Sequence, residues 1–399
     1  NMEWSLADSR DADLEIPTAD HPQIRLITCG NQGNQTPVDD FDGRWEVCTR
    51  YSAPWFSAIG YYFGREINRH EKVPVGLIDN SWGGSSCDAW IRRDKMEGNP
   101  IYDQSLAKAD ELAADANQEE AFNRRLAEWE KQAALARAAG QPEPGGRPWL
   151  RDNVNGQCRP ANLWHGRVEP IMPYAIRGVL WYQGETNAGR SYQYREMFPL
   201  MIQHWRDEWG QGDFPFYWVQ LADYMNESSE PGESGWAELR EAQTMTLDRL
   251  PHTGQAVIID LGDGADIHPR NKVDVAKRLA RIALARNYGR DIVYKSPRYD
   301  NLQIAGDKIL VHFKDVDKEL RTIDKREALG FAIAGEDRKW HTAQAKIVDK
   351  DWVEVWSDAV TEPVAVRYAW ADNPVCNLYN AAGLPVTPFR SDDWPGVTK

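Results

Sequence analysis

Basic charge is what this sequence has too little of: 47 lysines and arginines stand against 61 aspartates and glutamates, for a net charge of −14 over 399 residues. A chain that grips nucleic acid or an anionic membrane surface needs a basic face, so neither partner is expected. No apolar run approaches the ~20 residues of a membrane-spanning helix, and the amino end carries no signal-peptide pattern. Cysteine is sparse as well. The five cysteines (Cys29, Cys48, Cys87, Cys158 and Cys376) are scattered without C-x-x-C spacing, which points away from a zinc site and from a dense disulfide frame. Hydrophobic residues, by contrast, make up 42% of the chain, enough to bury a sizeable core in more than one structural unit. The 18 tryptophans and 15 tyrosines include faces that could stack on sugar rings, although most are read as core or groove wall.

Four short apolar runs, VPVGLI (73–78), GVLWY (178–182), FYWVQL (216–221) and AVIIDL (256–261), alternate with helical segments. Buried strands alternating with helices predict an α/β fold with a doubly wound parallel sheet covered on both faces. A further strand is expected over 21–29, and an amphipathic helix over 53–70, with Phe56, Ile59, Phe63 and Ile67 at helical spacing. Residues 102–139 are rich in Ala, Glu, Lys and Arg and free of proline. They read as a helical hairpin inserted into the main domain, closed by a Pro/Gly stretch through Pro148. Beyond about residue 291 the period changes. KILVHF, AKIVD, WVEVW and AVRYAW are short alternating runs between turn residues, the pattern of an antiparallel β unit. The expected division is therefore 1–290 for the α/β domain, with its insertion at about 100–147, and 291–399 for a β-rich domain.

The polar residues fall where such a sheet binds ligands, past the carboxyl ends of the strands. AVIIDL runs into GDGADIHPRNK, which places Asp266 two residues before His268 on a loop that enters a helix at about Asn271. A carboxylate beside a histidine suits a general base and its orienting group, and it suits equally an N-capping aspartate with a histidine at a helix entrance. VPVGLI runs into Gly83, Gly84, Ser85 and Ser86. Paired glycines let the backbone turn sharply and present N–H groups to a ligand, as in an oxyanion hole, or simply make a tight strand–helix turn. GVLWY ends in Gln183, Gly184, Glu185 and Asn187.

Seven blocks in order resemble the sialate O-acetylesterase family of the SGNH hydrolase superfamily, over essentially the whole chain. They are SAPWFSAIGYYFGREI (52–67), VPVGLIDNSWGGSSCDAWI (73–91), IRGVLWYQGETN (176–187), FPFYWVQLADY (214–224), WAELREAQ (236–243), DIHPRNK (266–272) and VRYAWADNPVCNLYN (366–380). The resemblance implies an SGNH or flavodoxin-like three-layer fold and a serine esterase that removes O-acetyl groups from sialic acid or related glycans through an acyl-enzyme. It implies no cofactor and no metal, and it implies export to the periplasm or beyond. The family's nucleophile lies in a Gly-Gln-Ser-Asn-Met motif. This chain starts Asn1-Met2-Glu3-Trp4 and reads as cut from a longer one, so the serine is expected immediately before Asn1 and the first strand ahead of it. His268 is then the base. Asp266 is its orienting group, although the superfamily spacing falls on Ala265, so Glu185 or Asp263 are alternatives. Gly84 or Gly83 and the amides of Gln183 or Asn187 are the oxyanion donors, with Asn1 beside them. Ser86 is the alternative nucleophile.

Two rivals remain at this point. One is a metal-assisted hydrolase built on Asp260, Asp263, Asp266 and His268. The other is a catalytically inactive glycan-binding protein of the same fold. The sequence leaves the acetylated sugar and the oligomeric state open.

Overall fold

The structure is a computed structural model that describes residues 1–399 except 115–116, 142–143, 145–146, 149–153 and 229. Among the described residues, six strands and six long helices, two of them in the insertion, make the first unit. After α1 (Ala12–Glu15), β1 (His21–Thr28) pairs antiparallel with β2 (Glu46–Cys48) and parallel with β3 (Val75–Asp79). A second sheet, β4 (Val179–Trp181), β5 (Phe216–Val219) and β6 (Thr253–Ala256), is parallel throughout. Between β2 and β3 lies α2 (Ala58–Glu71), where the Ser57 side chain caps the N–H of Gly60 and Lys72 ends the helix in a left-handed conformation. It packs on β1 and β3, and also on α7 (Lys272–Tyr288), which covers β5 and β6. On α7, Asn271 accepts from the N–H of Asp274, and Gly289 closes the helix with φ 68°, the ordinary pairing of a polar N-cap with a left-handed glycine stop.

The expected insertion contains α3 (Asp103–Ala114) and α4 (Gln118–Ala138). The Pro/Gly stretch after it falls partly outside the described residues. Then come α5 (Ser191–Trp209) and α6 (Gly235–Arg249), which pack on each other.

After α7 the chain is strands: β7 (Arg298–Ala305), β8 (Lys308–Lys314), β9 (Leu320–Thr322), β10 (Phe331–Ala334), β11 (His341–Thr342), β12 (Gln344–Asp349), β13 (Trp352–Trp356), β14 (Ala365–Tyr368), β15 (Leu378–Asn380) and β16 (Phe389–Arg390). They form two four-stranded antiparallel sheets, β12-β13-β8-β7 and β11-β10-β14-β16, and the pair β15-β9. Ile309, Val311, Val353 and Val355 from the first sheet meet Phe331, Ile333, Val366 and Tyr368 from the second in one buried cluster.

One expected strand differs. AVIIDL is a strand only at Ala256, and the ladder of β6 lies just before it, at Thr253–Ala256. The apolar run beyond serves two cores: Ile258 is buried with the α/β core, while Val257 and Ile259 belong to the β-unit cluster. A continuous apolar run buried on both sides is as natural for such a bridging segment as for a strand. Among the described residues no helix is long and apolar enough to cross a membrane, and Cys29, Cys48, Cys87 and Cys376 form no disulfide.

Candidate active site

Three loops and the start of the chain converge at one end of a cavity of about 1310 Å³. Asn1, Glu3, Gly83, Gly84, Gln183, Glu185 and His268 all line it. Asp266, Asn187 and Ser86 do not.

The chain start is anchored. Ser57 donates its hydroxyl to the Met2 carbonyl at 2.6 Å, and the N–H of Ala58 donates to the Trp4 carbonyl at 2.8 Å. The Asn1 amide nitrogen donates to Glu185 Oε1 at 2.7 Å and to the Ile267 carbonyl at 2.9 Å, while its oxygen accepts from Lys272 Nζ at 2.7 Å. Residue 1 is thus bonded to the neighbour of His268, and Trp4 stacks on the His268 ring with centroids 5.1 Å apart.

The histidine loop is held by a close approach. Gly262 donates its N–H to Asp223 Oδ1 at 2.7 Å, and a Cβ there would fall 2.0 Å from the Asp223 carbonyl oxygen. Only glycine fits. The loop bearing Asp223 is in turn fixed by Arg240, whose buried guanidinium donates to the carbonyls of Leu221, Ala222, Ala371 and Asp372. Burial lowers its pKa to about 10. Within the loop, Asp266 Oδ1 accepts from the His268 backbone N–H at 2.9 Å and stands 3.7 Å from Nδ1. The half-exposed imidazole has a lowered pKa, first through burial, with Lys272 acting in the same direction and Glu185 and Asp266 opposing. A depressed pKa keeps the ring neutral near pH 7, as a base must be.

The glycine turn is positioned from below. Gly84 adopts φ 72°, and its carbonyl accepts from Thr186 Oγ1 at 3.0 Å. Gly83 directs its N–H at the Glu3 carboxylate, so an anionic oxygen already sits where that donor points. Gln183 donates its amide to the Ser85 carbonyl at 3.0 Å and to Asn187 Oδ1 at 2.6 Å, and accepts from Tyr194 at 3.0 Å. Asn187 Oδ1 also accepts from the Cys87 N–H at 3.0 Å. Both amides are buried and engaged in holding the glycine turn to the loop after β4. Ser86 is buried, donates its hydroxyl to Asp88 and accepts from Arg190 at 3.2 Å. The acidic residues of the metal alternative are dispersed: Arg278 binds Asp260 in bidentate fashion at 2.6 and 2.7 Å, and Asp263 accepts from the Ala265 N–H.

Three residues had no place in the sequence reading: Glu3, Trp4 and Lys272. Lys272 had a legible signal, because it stands in register with Val275, Ala276 and Leu279, the buried stripe of α7. A lysine on such a stripe is fully buried only for a reason.

Comparison with known proteins adds to this geometry. A family model described as carbohydrate esterase, sialic acid-specific acetylesterase matches residues 162–285. The curated sialate O-acetylesterase of Mus musculus is 28% identical over 98% of this chain and 75% of its own length, and that of Homo sapiens 26% identical over 99% and 74%. The crystal structure of a carbohydrate acetylesterase from Xanthomonas citri superimposes with a TM-score of 0.80 at 35% identity, covering 99% of this chain and 79% of that one. These matches, with a mixed α/β fold, define the class: a carboxylic ester hydrolase. The chain belongs to the sialate O-acetylesterase family of carbohydrate esterases.

Proposed function

We propose that this chain carries the base and the oxyanion donors of a serine esterase that removes O-acetyl groups from sialic acid or a related glycan, and that the nucleophile directly precedes Asn1. The observation that carries the reading is the hydrogen bond of 2.9 Å from the Asn1 side-chain amide to the Ile267 carbonyl, which ties residue 1 to the neighbour of His268 and supports a nucleophile joined to residue 1. His268 takes the serine proton as the hydroxyl attacks the acetyl carbonyl. It returns that proton to the departing sugar oxygen, and then activates the water that frees acetate. Asp266 orients the ring, and Glu185 acts through Asn1. The N–H of Gly84, which has no acceptor among the described residues, faces the oxyanion, and that of Gly83 joins it only once the Glu3 carboxylate is displaced, whereas Gln183 and Asn187 hold the turn that presents them. Losing one oxyanion donor costs about 3–4 kcal/mol of barrier.

The same reading joins the mixed β2-β1-β3 sheet and the parallel β4-β5-β6 sheet as halves of one doubly wound, three-layer SGNH sheet in a domain of residues 1–290, with 291–399 as the β-rich domain. It makes an acetylated sugar the partner rather than nucleic acid or membrane, and by family habit it places the protein outside the cytoplasm.

Turnover tests it. The 399-residue chain should leave an aryl acetate intact, and a chain extended upstream by a strand ending in Gly-Gln-Ser should hydrolyse it. The same extension with alanine for that serine should not. An extended chain that binds acetylated sugar without turnover would instead support the inactive glycan-binding protein.

A further inference from the structure

Glu3 stands on a backbone that is pinned on both sides. The Met2 carbonyl accepts from Ser57 Oγ at 2.6 Å, and the Trp4 carbonyl accepts from the Ala58 N–H at 2.8 Å. A bridge between Ser5 and Ser57 continues this pairing, and the Trp4 ring is stacked on His268. What remains able to move is the Glu3 side chain, which is exposed and lines the cavity at the polar site.

That side chain rests on the glycine turn. Its Oε2 accepts the N–H of Gly83, so closely placed that a Cβ on Gly83 would fall 2.8 Å from it. Its Oε1 accepts from no group among the described residues, and the carboxylate enters no ion pair there. Successive N–H groups at a turn form a concavity for an anionic oxygen. Glu3 occupies one of the two donors, while the N–H of Gly84 has no acceptor among the described residues. An ester carbonyl that is to use both must first move the carboxylate aside. A carboxylate that gives up a charge-assisted hydrogen bond then needs another donor, from water or from the ligand.

An acetyl ester has no donor to offer, because both of its oxygens only accept. The sugar that carries it does. A hydroxyl on the neighbouring ring carbon arrives with the ester, and it can donate to the carboxylate while the carbonyl takes the Gly83 N–H.

We infer that Glu3 is a specificity-determining residue, which selects O-acetyl sugars carrying a free hydroxyl beside the ester: the hydroxyl draws the carboxylate off Gly83 as the ester carbonyl replaces it. The inference rests on the esterase reading of the glycine turn. An ester without that hydroxyl leaves the carboxylate to water and keeps a negative charge beside the oxygen that becomes anionic in the transition state. A hydrogen bond to a charged group is worth on the order of 10–100-fold in selectivity.

The test uses the chain extended through Gly-Gln-Ser and two matched substrates. One is a mono-O-acetylated methyl xyloside with a free hydroxyl beside the ester, and the other has hydrogen in place of that hydroxyl. With Glu3 present, the first should be favoured by ~10–100-fold in kcat/KM. Glu3→Ala should bring the two to within about twofold of each other, mainly by raising KM for the hydroxyl-bearing sugar. It should also hydrolyse an aryl acetate faster, because the Gly83 N–H is vacated. Glu3→Gln keeps an acceptor oxygen and should retain an intermediate preference. The same preference is read as a ratio of Kd values in the extended chain with alanine for the serine, which requires no turnover. A preference in Kd without hydrolysis by the serine chain keeps the role of Glu3 and removes the esterase reading. Equal Kd values and equal kcat/KM with Glu3 present, or a preference that survives Glu3→Ala, overturn the inference.

Discussion

Lys272 and Glu185 hold the Asn1 carboxamide between them: the ammonium donates to its oxygen at 2.7 Å, and the carboxylate accepts from its nitrogen at 2.7 Å. A buried cation and a half-buried anion thus orient one neutral amide from opposite sides. The amide cannot flip without turning both contacts repulsive, so the Asn1 side chain is held in one orientation. Lys272 also lies 5.7 Å from the Trp4 ring centroid and 5.6 Å from that of Tyr182.

Burial lowers the Lys272 pKa from 10.5 to about 7, with Glu185 and Asp266 opposing the change. The folded chain therefore binds fewer protons than the unfolded chain between these two values, and stability should rise as pH rises from about 7 towards 10.5. Each tenfold weakening of proton affinity corresponds to ~1.4 kcal/mol, so the full rise is at most several kcal/mol. Lys272→Met should lose this contribution. Urea midpoints at pH 7 and pH 9.5 check it: the wild-type chain should gain on the variant at the higher pH, and parallel pH dependences would remove the depressed pKa.

Arg240 joins the loop after β5 to the β-rich unit through four backbone carbonyls. Arg240→Met keeps most of the apolar stem but strands those acceptors in the interior, where each lost partner costs about 1–3 kcal/mol. A loss of roughly 3 kcal/mol or more is expected in urea unfolding. If the midpoint moved by less than ~0.5 kcal/mol equivalent, the clamp would be ornamental.

Asp266 and Glu185 should separate in kinetics. Asp266 stands 3.7 Å from His268 Nδ1, whereas the contact of Glu185 is with Asn1. In a chain extended through Gly-Gln-Ser, Asp266→Asn should lower kcat by ~10³–10⁴-fold, the scale of a lost orienting carboxylate. Glu185→Gln can still accept from Asn1 and should cost ~10–100-fold, since it acts only on position. The reverse order in kcat would make Glu185 the orienting group.

Much of this was legible beforehand because it depends on local chemistry. The helical composition of the insertion, the antiparallel runs after residue 291 and the glycine turn after VPVGLI each declare themselves in a few residues. AVIIDL misled because the period of a run cannot say how many cores it faces; Val257 and Ile259 turn to one and Ile258 to the other. The engagement of Gln183 and Asn187 with the glycine turn was invisible for a similar reason. An amide at the end of a strand reads the same whether it faces a substrate or the carbonyl of Ser85, 98 residues away in the chain. The role of Lys272 depends on Asn1, 271 positions distant, and no spacing rule connects them.

The central claim is that His268 serves a nucleophile attached to the Asn1 nitrogen. It is tested most directly by treating the chain extended through Gly-Gln-Ser with a fluorophosphonate and locating the adduct by peptide mass spectrometry. The account predicts one adduct, on the serine preceding Asn1, formed at least ~10³-fold more slowly in His268→Ala. An adduct on Ser86, or labelling of the upstream serine at the same rate without His268, would contradict it.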